Sequence, residues 1–212
     1  MALLGTRYEG LQRADGEYIL LLDSDQILNP TAIERAVRKM AGEGIKMLVL
    51  EEDVYQANNW LEKLFQQDRQ LVHHVKDLSP YSGVMLPRFY ETSILRAAFS
   101  NIPEDALANV GGQDHAIIYF EAWQQSKEID VLPDGVQHVE PNSLKLIFKK
   151  FYRWGFTSKA ACNPRYKELL ASKERFRNGL FSEGTVKASF ASIALLLIKG
   201  VPYKLGKLAS KS

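Results

Sequence analysis

Tyr18-Ile19-Leu20-Leu21-Leu22-Asp23-Ser24-Asp25 is an apolar run closed by two aspartates, with Asp15-Gly16 just ahead of it. A short, wholly apolar run between turn residues fits a strand buried on both faces, as in a parallel α/β sheet. Asn29-Pro30 then offers an N-cap followed by proline at the first helical position. Ala32, Ile33, Ala36, Val37 and Met40 recur at helical spacing until Gly42 and Gly44 end the helix. Ile45 to Leu50 is the next strand. Strand, helix and strand in this order form the βαβ unit of a parallel sheet.

Further along, a helix starts near Asn58-Asn59 and carries Trp60, Leu61, Leu64, Phe65, Leu71 and Val72. Pro80 to Pro87 reads as loop and short strand, and Glu91 to Phe99 as helix. Gly111-Gly112 introduces a helix with Ala116, Ile117, Phe120 and Trp123. Ile129 to Leu132 and Val136 to Val139 read as two short strands around the turn Pro133-Asp134-Gly135. After Pro141 the pattern becomes helical, over Ser143–Trp154, Tyr166–Phe176 and Val186–Lys199. The expected architecture is α/β over residues 1–142, with a mostly parallel mixed sheet flanked by helices, and a basic helical region over residues 143–212.

The bulk composition excludes several classes. Of 212 residues, 46% are hydrophobic and 25% charged, as in an ordinary globular protein. The formal charge is +2, from 27 basic and 25 acidic residues, which gives no case for nucleic acid as a partner. The positive charge is uneven, and Lys145 to Lys211 is strongly basic. The single cysteine, Cys162, excludes an internal disulfide and a cysteine-held zinc, and is compatible with a reducing cytoplasmic setting. The first residues lack a signal-peptide pattern, and no run reaches the roughly 18 apolar residues of a spanning helix. Ala188 to Ile198, between Lys187 and Lys199, is too short to span. With its continuation to Leu208 it reads either as a peripheral membrane helix or as a plain helix covering the domain.

Four groups of residues could carry chemistry. Asp23 and Asp25, one residue apart past a buried strand, can converge on a divalent cation at the sheet's C-terminal edge, where open α/β sheets bind ligands. Hard oxygen ligands select Mg²⁺ or Mn²⁺ and leave positions for substrate phosphates. The plainer reading is an acidic turn that caps a helix. Asp114, in Gly111-Gly112-Gln113-Asp114-His115, is either a simple N-cap or a base poised in a cleft, with the glycines allowing close backbone approach to a ligand. His138 reads as a structural histidine or as a further ligand to the aspartates' metal; His73-His74 read as surface or packing residues. Lys149 to Gly155 interleaves basic and aromatic residues, which could grip phosphates and stack on a sugar or base. Otherwise it is an amphipathic helix end stopped by Gly155.

In this order the segments resemble family-2 glycosyltransferases of the GT-A fold. Arg7 to Tyr18 is similar to the R-x-x-G-x-x-x-A-x-G-E-Y run that precedes the family's metal strand. Asp23-Ser24-Asp25 resembles its Asp-x-Asp motif, and Gly111-Gly112-Gln113-Asp114 its Glu-Asp motif, with Gln113 where glutamate is usual. His138-Val139-Glu140 and Lys149 to Gly155 are similar to a histidine-x-glutamate and lysine-aromatic-glycine pattern. The resemblance, over roughly residues 3–160, implies an inverting, metal-dependent transfer of a sugar from a nucleotide-diphosphate donor to a hydroxyl acceptor. It implies Asp23 and Asp25 at the diphosphate and its Mg²⁺ or Mn²⁺, with His138 as a further ligand and Asp114 as catalytic base. It also implies Arg7 at the nucleotide or diphosphate, Arg153 and Trp154 beside donor or acceptor, and Ser24, Gly111, Gly112 and Gln113 in the substrate site. A glycan or a polyprenyl-lipid-linked acceptor would suit such a site, the latter with peripheral contact at the cytoplasmic membrane face.

Family members carry further βα units, with nucleotide-base contacts, before this strand. The resemblance therefore leads to the expectation of a partial catalytic domain: a fragment, a chain whose missing half a partner chain supplies, or a fold that survives without normal donor binding. Two alternatives stand beside it. One is a non-catalytic interaction protein on a transferase scaffold. The other is a haloacid-dehalogenase-like phosphatase, which usually has Gly-Thr after the second aspartate, where Gln26-Ile27 stand here.

Overall fold

The computed structural model describes residues 2–73, 75–82, 85–157, 163–174 and 186–210. Helix α1 (Leu3–Arg13) leads into strands β1 (Tyr18–Leu20) and β2 (Gln26–Leu28). Next come α2 (Ala32–Glu43), β3 (Met47–Val54), α3 (Trp60–Val72), β4 (Phe89–Glu91), α4 (Thr92–Ser100), α5 (Glu104–Asn109), α6 (Asp114–Gln125) and β5 (Ile129–His138). Helices α7 (Leu144–Thr157), α8 (Lys167–Glu174) and α9 (Val186–Ala209) complete the order. Cys162, His74 and the predicted helical residues beyond Glu174 lie outside the described residues.

The strands form one mixed sheet in the order β1-β4-β3-β5-β2. The α/β class is as expected, but the expected parallel majority is not observed. Among the described residues β3 and β5 are the one parallel pair, whereas β1–β4, β3–β4 and β2–β5 are antiparallel. The connection after β1 explains part of this. Leu21 to Asp25 carries the chain from one edge of the sheet to the other. Leaving the C-terminal end of β1 without room for a crossover helix, the chain enters β2 in the reverse sense, against β5. That path lays Asp23 and Asp25 over the C-terminal ends of β3 and β5.

The opening strand is therefore an edge strand, and its three ladder residues are half-buried rather than enclosed. Its apolar character on both faces has a clear origin all the same. Ile19 and Leu21 meet a core built by α1, α4 and α6 around Met47, Tyr90, Leu95 and Ile117. Tyr18 and Leu20 meet a second core, where α2 places Ala36 and Met40 against Leu48 and Leu50. Each fully buried side chain of this size contributes roughly 1.5–3 kcal/mol. A third cluster joins Val54, Leu61 and Phe65 to Ile147 of α7 and Leu195 of α9.

Local signals held where they were self-contained. Asn59 caps α3 in a capping box with Glu62, and Gly44 closes α2 in the left-handed region at φ 69°. Asn29 does not cap α2; it bonds Thr31, and the helix begins at Ala32, so Ile33 and Val37 of the expected apolar face are exposed. Pro133 to Gly135 is not a turn between two strands but an irregularity within β5, where its register against β3 shifts between Leu50 and Glu52. Gly135 is required there, because a Cβ would stand 2.8 Å from Leu50 Cβ and 3.1 Å from Leu50 Cα. Gly155 does not stop α7. It lies inside the helix against α9, where a Cβ would fall 1.9 Å from the Tyr203 carbonyl oxygen.

Candidate active site

The carboxylates named from the sequence stand in one alternating chain of charges at the C-terminal end of the sheet. It begins at Asp114, the first residue of α6, whose Oδ2 accepts from Arg7 Nε at 2.5 Å. Arg7, on α1, also donates from Nη2 to Asp23 Oδ1 at 2.5 Å. Asp23 Oδ2 accepts from Arg88 Nη1 at 2.8 Å, and Arg88 approaches Glu52 at 3.4 Å. Arg69, from α3, then clamps Glu52 and Glu140 together. Glu140 Oε1 lies 3.5 Å from His138 Nδ1, and His138 Nε2 lies 3.5 Å from Asp25 Oδ2. Lys150 of α7 ends the chain, 3.3 Å from Asp25.

Local structure sets each position. Asp23 and Gln26 form a tight turn, with the Gln26 amide bonding Asp23 O and the Asp23 amide donating to Gln26 Oε1. Gln26 Nε2 then donates to Glu52 Oε1 at 2.8 Å, which ties the turn to β3. Asp25 O accepts from the Val139 amide at 2.8 Å, which holds Asp25 beside His138. At α6 the cap is Gln113, at φ 66°, a left-handed conformation that L side chains seldom adopt. Strain of that kind gathers at functional sites. Asp114 does not serve as the N-cap; its side chain is buried and turns to Arg7, with the positive end of the helix dipole behind it.

The electrostatics follow from this arrangement. Burial would raise the Asp23 carboxyl, but the contact with His115 and the charges of Arg88 and Arg7 hold it well below the usual carboxylate range. Burial likewise opposes the charge on Arg7, and the surrounding Asp114 and Asp23 outweigh it and raise its pKa. Burial pushes both His115 and His138 down, toward the neutral imidazole. His115 Nε2 lies within hydrogen-bonding distance of both Arg7 and Arg88 and 3.4 Å from Asp23 Oδ2.

The nominated residues thus divide. Arg7, Asp23 and Asp114 are in direct contact, and Asp25 and His138 form a second, adjacent pair. Ser24 is exposed on the connecting loop, and Gly111, Gly112 and Gln113 lead into α6. Arg153 is exposed and, among the described residues, joins no ion pair; Trp154 packs on Phe151 with Lys150 Nζ 5.3 Å from its ring. Sequence reasoning missed Glu52, Arg69, Arg88 and His115, and it gave Lys150 no role of its own. Beside the chain is a cavity of about 220 Å³, lined in part by Glu52, Arg69, His73, Arg88, Glu140 and Lys199.

Among the described residues no three carboxylate, imidazole or thiolate groups converge as a ready-made metal cage. Mg²⁺ is commonly held by one or two carboxylates plus substrate phosphates, so one aspartate with a supporting ligand is enough. Asp25 and His138 fit that role, because Glu140 stands behind the buried Nδ1 of His138, which has no hydrogen-bond partner among the described residues. Asp23 has both oxygens on guanidinium groups in this arrangement.

Residues 2–115 match the model of glycosyl transferase family 2, a span that includes Arg7, Asp23, Asp25, Arg88 and Asp114. The chain belongs to glycosyl transferase family 2. The mixed sheet with helices on both faces is accordingly a GT-A-like fold, and the phosphatase alternative falls away. His138 and α7 lie beyond the matched span of the family 2 model. No curated protein sequence matches the chain significantly. In structure the chain is similar to S. aureus TarS residues 1–349, with a TM-score of 0.49 and 16% identity, over 96% of this chain and 61% of that one. A second crystal structure of S. aureus TarS gives a TM-score of 0.45 and 17% identity, over 85% of this chain and 31% of that one. The chain therefore spans less than two thirds of either structure.

Proposed function

We propose that the chain transfers a sugar from a nucleotide-diphosphate donor to a hydroxyl acceptor with inversion. The observation that carries this is the bridge from Asp23 to Asp114 through the single guanidinium of Arg7. It joins the end of the Asp23 strand to a buried carboxylate through one side chain, within the span that matches a transferase family. Arg7 holds Asp114 by Oδ2, and Asp114 is the carboxylate that takes the acceptor proton as the acceptor oxygen attacks the anomeric carbon. Arg7 and Arg88 supply positive charge where the departing diphosphate gains negative charge. Asp25 and His138 would hold Mg²⁺ or Mn²⁺, which supplies Lewis-acid stabilisation of that leaving group. Trp154, next to Lys150, offers an aromatic face to a sugar ring.

Binding and chemistry can be tested separately. Titration calorimetry with nucleoside diphosphates and Mn²⁺ should show metal-dependent binding that Asp25→Ala removes. Asp114→Asn should keep that binding and lose about 10²–10⁴-fold in transfer rate. One observation favours a second reading, a non-catalytic scaffold: the site's acids are already paired within the chain. A well-folded protein that binds no nucleotide diphosphate with or without Mn²⁺ would establish that reading and refute the first.

A further inference from the structure

Helices α7 and α9 run side by side in the same direction. Ile147 shares a cluster with Leu195, Lys199 Nζ lies 5.9 Å from the Phe151 ring, and Gly155 meets Tyr203. Their inner faces cover α3. Together the two helices carry eleven of the twenty exposed large apolar side chains among the described residues. On α9, Phe190, Leu197, Val201 and Leu208 recur at helical spacing as one stripe, exposed by 68%, 63%, 57% and 62%. Leu144, Phe148 and Phe156 extend the apolar surface on α7. Exposed apolar surface of this extent marks an interaction face.

Charge selects the partner. Neither helix contains an aspartate or glutamate, and Lys145, Lys149 and Arg153 of α7 and Lys204 of α9 are exposed, whereas Lys199 turns inward to the Phe65 ring and Asp68, and Lys150 to Asp25. An apolar stripe bordered by cations alone complements a surface that is apolar below and anionic above. Among the described residues no helix is long and apolar enough to cross a membrane. We propose that the outer face of α7 and α9 lies on an anionic lipid surface, its apolar stripe at the acyl–headgroup boundary and its lysines among the phosphates. Lys150 links this face to the site, since it also contacts Asp25. The inference is independent of the transfer reaction.

The test is co-sedimentation of the full chain with vesicles of phosphatidylcholine, with and without phosphatidylglycerol. Binding should need the anionic lipid and weaken in high salt. Leu197→Ser with Val201→Ser should lower partitioning at least about tenfold, and Lys204→Glu by about fivefold or more. All three positions are exposed, so circular dichroism should be unchanged. A folded chain that ignores anionic vesicles overturns the proposal, as does binding that the double substitution leaves intact. So does a dimer in sedimentation velocity, dissolved by the same substitutions and indifferent to lipid, because a second copy then covers this face.

Discussion

Replacing Arg7 by methionine tests the central contact of the site. The change keeps the unbranched stem and removes the charge from a side chain only 9% exposed. Two carboxylates lose a partner, and the losses are unequal. Asp23 is 29% exposed and keeps Arg88 at 2.8 Å, so its share is on the order of 0–1 kcal/mol. Asp114 is 7% exposed and, among the described residues, keeps a neutral His115 at 3.8 Å. Breaking a buried pair from one side costs about 3–5 kcal/mol, because the remaining charge is left uncompensated. The N-terminus of α6 returns about 1 kcal/mol of that. The expected destabilisation is about 2–5 kcal/mol, read from urea unfolding followed by circular dichroism and tryptophan fluorescence. Asp114→Asn in the same background should restore most of it, since the stranded charge is then gone. A loss below about 1 kcal/mol, or a double variant no more stable than Arg7→Met, would refute the assignment of Arg7 as counter-ion to a buried Asp114.

Two further outcomes follow from the same structure. Gly155→Ala and Gly206→Ala should each cost about 2 kcal/mol or more, because each new Cβ would meet the facing helix backbone at 1.9 Å and 2.0 Å; wild-type melting temperatures for both would show that α7 and α9 do not touch there. Stability should also fall on acidification in two windows. Burial pushes His115 and His138 down, so the unfolded chain takes up their protons first and stability drops as pH falls through about 6.5. Burial alone would raise Glu52, but Arg69 and Arg88 hold it down, so a second loss follows below about pH 4. A melting temperature constant from pH 7.5 to 5 would contradict the buried neutral imidazoles.

What was legible in the sequence was whatever a short window encodes. The run Tyr18 to Asp25 correctly marked a strand ending in acids, because apolar faces and turn residues are local properties. Its place at the sheet edge was not local, since it depends on Arg88, whose backbone carbonyl takes the Leu21 amide. Arg88 itself, following Pro87 in a loop, carries no periodic signal, and its contact with Asp23 spans 65 positions. Glu52 had a usable signal: Glu51-Glu52-Asp53 continues the apolar strand that ends at Leu50, as Asp23 and Asp25 continue theirs. Two strands ending in acids at the same sheet edge must bring in cations or remain unpaired at high cost, and Arg69 and Arg88 are those cations. Gly155 misled for the converse reason. A glycine near a helix end is read locally as a stop, but here the missing Cβ serves a helix some fifty residues away in sequence. Asp114 shows the same limit most plainly. Local rules favour an N-cap, yet Gln113 occupies that position, and the aspartate side chain is buried against an arginine 107 residues earlier. A cap needs no such burial, and the proposed role of Asp114 as base would account for its cost.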